Sequence, residues 1–511
     1  VADTWQLTGS DLTVEKLADF EEQRPRIALS KDARARVQAS RDTVAAAVAS
    51  GRVSYGITTG FGAFANRQIP AAKVKELQLN LVRSHSCGVG EPLPEAIVRR
   101  ILLLKANSLA AGFSGVRPLV IEALLALLNN NVVPVIPSRG SVGASGDLAP
   151  LAHLALALIG EGEAQQDGRK LAGKEVPQAA AIAPLDLEAK EGLALLNGTQ
   201  LSAALAIEGL LRAHNLLHSA IVVGALTVEA LAGSYTPFDA RIHAARGLPG
   251  QNYVAECFRH LLTDSEIKRS HENCDRVQDP YAVRCMPQVY GAVADTLTHA
   301  RQVLEAESNG VSDNPLIFGA EILSGGNFHA APLGFISDFL GIAVAELASM
   351  SERRTDLLDR RVNPALNMFL TSEPGVESGF MIAHVTAAAL ASENKTLAHP
   401  ASVDSIPTSA GQEDHVSMAP WAGFKLLRIC DNTATVLGIE LLAAARAIDH
   451  LRPLRSTPAL EALHALIRSR VPFNPKDHRL DGDITKLTAL VQSSELREFL
   501  RPGAGAVPAH E

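Results

Sequence analysis

Aromatic residues are scarce: 4% of 511 residues, with two tryptophans and five tyrosines. A core of this size must therefore rest on Leu, Ala, Val and Ile. Cysteine is equally sparse. The five (Cys87, Cys257, Cys274, Cys285, Cys430) show no C-x-x-C spacing, which excludes a disulfide framework and reads as scattered reduced thiols. A basic excess is missing too. Net charge is −8, so no general basic face exists for nucleic-acid phosphates, although a local basic pocket for a carboxylate stays open. No run of 18 or more residues is both free of charge and apolar enough to span a bilayer, so no membrane partner is expected. The first residues, Val1 to Trp5, carry neither a basic n-region nor an apolar h-region. The expectation is a cytoplasmic protein without a signal peptide. No H-E-x-x-H, Walker loop or dinucleotide fingerprint occurs, and no metal is expected.

What is present is ordinary globular composition, 47% hydrophobic and 20% charged. Length alone suggests roughly three domains. The pattern along the chain favours two: 1–200, mixed and loop-rich, and 201–511, overwhelmingly helical. Thr13 and Ser30 stand where helix N-caps belong. Residues 94–130 carry long apolar helical runs broken around Gly112–Pro118. Residues 160–187 are polar and Gly/Pro-punctuated, which suits a small hairpin. Further on, Val293, Leu297, Ala300 and Leu304 form an apolar stripe at helical spacing. So do Leu427, Cys430, Ala434, Leu437, Leu441, Ala444 and Ile448. Both stripes read as bundle packing.

The informative stretch is GSVGASGDLAPLAH, residues 140–153. Three glycines within seven residues mark backbone that bends tightly. If the Gly146 nitrogen attacks the Ala144 carbonyl carbon, a five-membered ring closes. Loss of one water from the ring and one from the Ser145 side chain leaves an alkene conjugated to carbonyl groups, a strong electrophile. The ordinary alternative is a flexible Gly/Ser loop capped by Asp147 at a helix N-terminus.

The fourteen-residue string resembles the active-site signature of the histidine and phenylalanine ammonia-lyase family. Further strings agree in order: YGITTGFG (55–62), EGLALLNGTQ (191–200), VQDPYAVRC (277–285), SDNP (312–315), GGNFH (325–329) and QEDHVSM (412–418). The resemblance covers about residues 53–445 and looks most like the histidine branch. It implies a mainly α fold like the fumarase/aspartase superfamily, with a long central helical bundle and a smaller mixed N-terminal part. It implies 4-methylidene-imidazol-5-one (MIO) formed from Ala144, Ser145 and Gly146 with no external cofactor, a small aromatic amino-acid substrate, and a homotetramer whose sites borrow residues from three chains.

Carried over residue by residue, Tyr55 is the candidate base for the weakly acidic β-proton. Tyr281 resembles a tyrosine beside the ring. Arg284 resembles the arginine that grips the substrate carboxylate. Asn197 and Gln278 resemble amides that orient ring and substrate, and Phe328 a pocket wall. His85 and Glu413 resemble the selectivity residues of histidine enzymes, because both can hydrogen-bond an imidazole. Glu377, Asn367-Met368 and Gly411 depart from the family pattern. L-Histidine to trans-urocanate is the leading expectation. The alternatives are a phenylalanine or tyrosine lyase or an aminomutase using the same ring, and, more remotely, a non-catalytic helical scaffold.

Overall fold

The expected caps form. In the computed structural model, which describes residues 4–272 and 276–500, the Thr13 and Ser30 side chains accept from the Lys16 and Ala33 N–H groups. Each satisfies one orphan donor of a helix start. Cys274 lies outside the described residues. The apolar stretch after residue 94 divides into helices Glu95–Ala110 and Pro118–Asn129. Pro118 takes the first helical position, where its missing N–H removes no bond. The chain is mainly α, with four small sheets among the described residues.

The residues cluster into two compact units. One holds those up to Glu208 together with Arg301–Ser337 and Pro400–Phe424. The other holds Gly209–Ala300, Asp338–His399 and those from Lys425 onward.

In the first unit, strand Trp5–Leu7 runs parallel to Ile27–Leu29. The hairpin forms between Glu163–Gln166 and Arg169–Ala172, and Val133–Pro134 adds to its free edge. Helix Leu148–Ile159 is buried along most of its length. It ends at Gly160, whose left-handed φ of 78° lets its N–H bond the Leu156 carbonyl. This helix follows directly on the 140–147 loop and fixes where that loop emerges.

In the second unit the stripe residues Cys430, Ala434, Leu437, Leu441, Ala444 and Ile448 are buried in helix Ala419–His450, and Leu427 is half-buried. Among them lies an ion pair with no solvent exposure. Arg354 reaches Glu440 through two bonds of 2.6 and 2.7 Å, and the Thr227 hydroxyl donates to the same carboxylate at 2.6 Å. Tyr290 lies against the guanidinium, and burial pushes its hydroxyl up to about 12.

Helix Ala331–Asp359 is long and apolar enough, by length and composition, to cross a membrane. Its mean hydropathy is 1.6 over 18 residues, 61% of which are buried. The charge-free criterion passes over it because of Asp338 and Glu346. It also carries buried Ser337, Asp338, Ser351 and Arg354, polar groups that suit a partnered protein interior better than lipid.

Removing one half of the buried pair leaves an uncompensated charge. Arg354→Met is expected to lower stability by about 3–5 kcal/mol, while the double variant Arg354→Met/Glu440→Leu regains most of that loss. Urea unfolding followed by circular dichroism measures both.

Candidate active site

Four stretches of the first unit, around residues 55–62, 140–147, 197–200 and 408–418, meet around one cavity of about 1210 Å³. The Ala144-Ser145-Gly146 tripeptide lies at its wall and is clamped from two sides. On one side the Asn197 side-chain amide donates to the Ser145 carbonyl at 2.8 Å. The Asp147 N–H donates to the Gly198 carbonyl at 2.7 Å. On the other side the Ser417 hydroxyl donates to the Gly143 carbonyl at 2.9 Å, and the Met418 N–H to the Val142 carbonyl at 2.9 Å. Gly146 adopts φ +72°, a left-handed conformation natural to glycine. A Cβ there would overlap the Gly198 carbonyl.

Asp147 does not act as the ordinary alternative supposed. It occupies the N-cap position of helix Leu148–Ile159, but its side chain makes no capping bond. The carboxylate instead accepts from the Ser141 hydroxyl (2.8 Å), the Ser202 hydroxyl (3.0 Å) and the Ser202 N–H (2.8 Å). It therefore ties the loop to the first turn of helix Gln200–Ala230. Burial raises its pKa above the usual carboxylate range, and these three bonds oppose the rise.

Two observations bear on whether the tripeptide suits ring closure. The Gly146 N–H donates to no acceptor among the described residues, which leaves that nitrogen available. The Asn197 Oδ1 is buried without a partner, so one acceptor beside the loop awaits a donor. Both fit the chemistry.

The cavity gathers seven of the expected residues: Tyr55, His85, Ala144, Ser145, Asn197, Phe328 and Glu413. The Ser145 hydroxyl donates to Glu413 Oε1 at 2.5 Å, and Thr408 holds the other carboxylate oxygen at 2.6 Å. Tyr55 accepts from the Gly62 N–H at 3.3 Å and meets Phe61 edge-on. His85 closes helix Val74–His85, with Ser84 on its Nδ1 at 3.1 Å. Burial lowers its pKa, partly offset by the Leu81 carbonyl and the Glu413 charge. Burial thus favours the neutral imidazole over the charged form.

Gln278, Tyr281 and Arg284 belong to the second unit, outside this cavity. Tyr281 is 70% exposed, and the Arg284 guanidinium lies 4.7 Å from its ring centre. The two bracket the short helix Tyr281–Arg284, so their expected proximity within one turn holds. Arg284 Nε is buried without a partner.

Sequence reasoning passed over His329 and His415, although each sits inside a matched string. Their rings stack at 5.7 Å on the cavity wall. His329 Nδ1 accepts from the Ala331 N–H, and its Nε2 faces the His415 carbonyl. These partners assign the proton to Nε2. Of the departures, the Glu377 carboxylate accepts from the Ser372 and Glu373 N–H groups, shaping its own loop in the second unit. Among the described residues no three His, Cys, Asp or Glu side chains come together as metal ligands.

A family model described as aromatic amino acid lyase matches residues 12–469. A histidine ammonia-lyase of Idiomarina loihiensis is 51% identical, over 97% of this chain and 98% of its own. Among solved structures, histidine ammonia-lyase from Trypanosoma cruzi superposes with a TM-score of 0.90 at 39% identity, covering 98% of this chain and 97% of its own. A tyrosine aminomutase from Streptomyces globisporus gives 0.90 at 37% identity, over 97% and 98%.

The clamp makes Gly146 intolerant of a side chain. Gly146→Ala is expected to cost about 1–3 kcal/mol from backbone strain, plus the overlap with Gly198. Gly168→Ala shares a positive φ of 81° but opens into free space, and costs about 1 kcal/mol. Thermal unfolding of the two variants side by side measures the difference.

Proposed function

The chain belongs to the aromatic amino acid lyase family, and we propose that it eliminates ammonia from L-histidine to give trans-urocanate, using MIO formed from Ala144, Ser145 and Gly146. The observation that carries the substrate is the pairing of His85 and Glu413 on the wall that also holds Ser145. A neutral imidazole and a carboxylate offer hydrogen bonds to a substrate imidazole. Against a phenyl ring both would lose partners, at about 1–3 kcal/mol each. Relatives named histidine ammonia-lyase support the same choice.

Once formed, the ring supplies an electrophile for the α-amino group. The side chains around it do the rest. Tyr55 takes the β-proton. The Gly62 N–H bonded to its oxygen at 3.3 Å fixes where that oxygen stands. Asn197 orients the ring through Ser145 and keeps Oδ1 free for the substrate side. Phe328 walls the cavity. Arg284 grips the α-carboxylate, with Gln278 and Tyr281 beside it, serving the cavity of a neighbouring subunit. The assembly in this reading is a homotetramer. Val277 (95% exposed), Ile382 and Val385 supply uncovered apolar surface in the second unit for such contacts. Cys87, Cys257, Cys285 and Cys430 form no disulfide, which suits the reducing cytoplasm.

A steady near-ultraviolet rise on mixing purified protein with L-histidine is the expected outcome, from a conjugated imidazole acrylate. No rise, with a peptide mass showing two waters lost across 144–146, moves the substrate to tyrosine or phenylalanine. An unmodified loop in active protein rejects the ring. Ser145→Ala is expected to keep both waters' mass and lose turnover. Tyr55→Phe is expected to slow turnover about 10²–10⁴-fold with little change in KM; near-normal turnover rejects the base assignment. His85→Leu with Glu413→Gln is expected to hurt histidine more than phenylalanine in relative kcat/KM, by roughly one to two factors of ten.

A further inference from the structure

We propose that Lys105 is a positioning residue for the ring-forming loop, holding the Asn197 peptide so that the Asn197 amide reaches Ser145. The inference rests on the ring-forming reading above. Lys105 interrupts the apolar run from Ile101 to Ala106 in helix Glu95–Ala110, and its side chain is 1% exposed. It does not line the cavity. Its Nζ donates to the Ala194 carbonyl at 2.9 Å and to the Asn197 carbonyl at 2.7 Å.

Those carbonyls lie at the end of helix Glu191–Leu196, where backbone acceptors lack intrahelical donors and a cation is favoured. Asn197 turns out of the helix with φ −80° and ψ 124°. The turn points its side chain at the Ser145 carbonyl, and the next residue, Gly198, receives the Asp147 N–H. A chain of short bonds thus runs from Lys105 Nζ through the Asn197 peptide to both flanks of Gly146. The other end of the same short helix is held independently, by the buried Lys190–Asp313 pair at 2.6 Å and by Arg117 on Glu191 at 2.6 Å.

Burial of an ammonium is costly. It pushes Lys105 down to about 7, with Asp313 and Asp147 opposing and Lys190 reinforcing the shift. Leucine or methionine would pack in the same helix face without that cost. What the lysine adds is donors for two carbonyls, one of them the peptide that sets the clamp.

The test uses the full-length protein. Three variants are compared with wild type: Lys105→Met, Asn197→Ala and their combination. Two quantities are read, the fraction of chains lacking two waters across 144–146 and the kcat and KM per matured site. Lys105→Met is expected to lower the matured fraction, or to lower kcat about 10- to 100-fold with KM little changed. Because Lys105 acts through Asn197, the double variant should be no slower than the slower single one. Lys105→Arg, which keeps the donors, should recover part of the loss. Wild-type maturation and kcat in Lys105→Met overturn the proposal, and so do losses that multiply in the double variant. If Lys105→Met does not fold, Lys105→Gln, which keeps one donor group, should fall between Lys105→Arg and inactivity; Lys105→Gln equal to wild type overturns the proposal. A wild-type loop with both waters still present overturns the ring reading instead, and is told apart by mass alone.

Discussion

Everything at this site depends on one short contact, the Asn197-Gly198 turn pressed against Ser145, Gly146 and Asp147. The contact needs no side chain at Gly146, an extended peptide at Asn197 and a helix that stops one residue earlier. Each requirement reaches into a different element. Helix Glu191–Leu196 must end on time, helix Leu148–Ile159 must start where Asp147 stands, and helix Gln200–Ala230 must offer Ser202 to the Asp147 carboxylate. The loop is small and polar, yet the ends of three helices meet at it.

The charges behind the loop follow the same logic. Lys190, Asp313 and Asp147 are buried and hydrogen-bonded, and each would be costly alone. Their arrangement keeps opposite charges close and leaves polar donors facing backbone acceptors. The second unit solves its own problem similarly, with Arg354 and Glu440 held together among apolar helices. In both units specificity of position is obtained from polar groups that the composition, 47% hydrophobic, renders conspicuous.

Much of this was legible in the sequence where the signal was local. Thr13 and Ser30 cap helices because a hydroxyl before a helical run has one obvious use. The hairpin at 163–172 was marked by glycines, and the stripe through Leu441 by its spacing. Of the seven expected residues that meet in one cavity, six lie in matched strings, and His85 stands outside them. The direction of the Asp147 side chain was not legible: the N-cap position is a local property, whereas Ser202 lies 55 residues on. That Arg301–Ser337 and Pro400–Phe424 cluster with the first unit was equally hidden, since no local pattern says which unit a segment joins. Lys105 did leave a trace, a charge in an apolar helical run, but its meaning required knowing which carbonyls lay opposite.

The second arm of the clamp has a consequence for the order of events during synthesis. Ser417 closes on Gly143 across 274 residues of chain. At ordinary ribosomal speeds of about 5–20 residues per second, roughly 15–55 s separate the emergence of the two partners. For most of that interval, once residue 197 has emerged, the nascent loop has only its Asn197 arm. On the proposed reading, the backbone condensation at residues 144–146 meets its complete clamp only after residues 417 and 418 have left the ribosome.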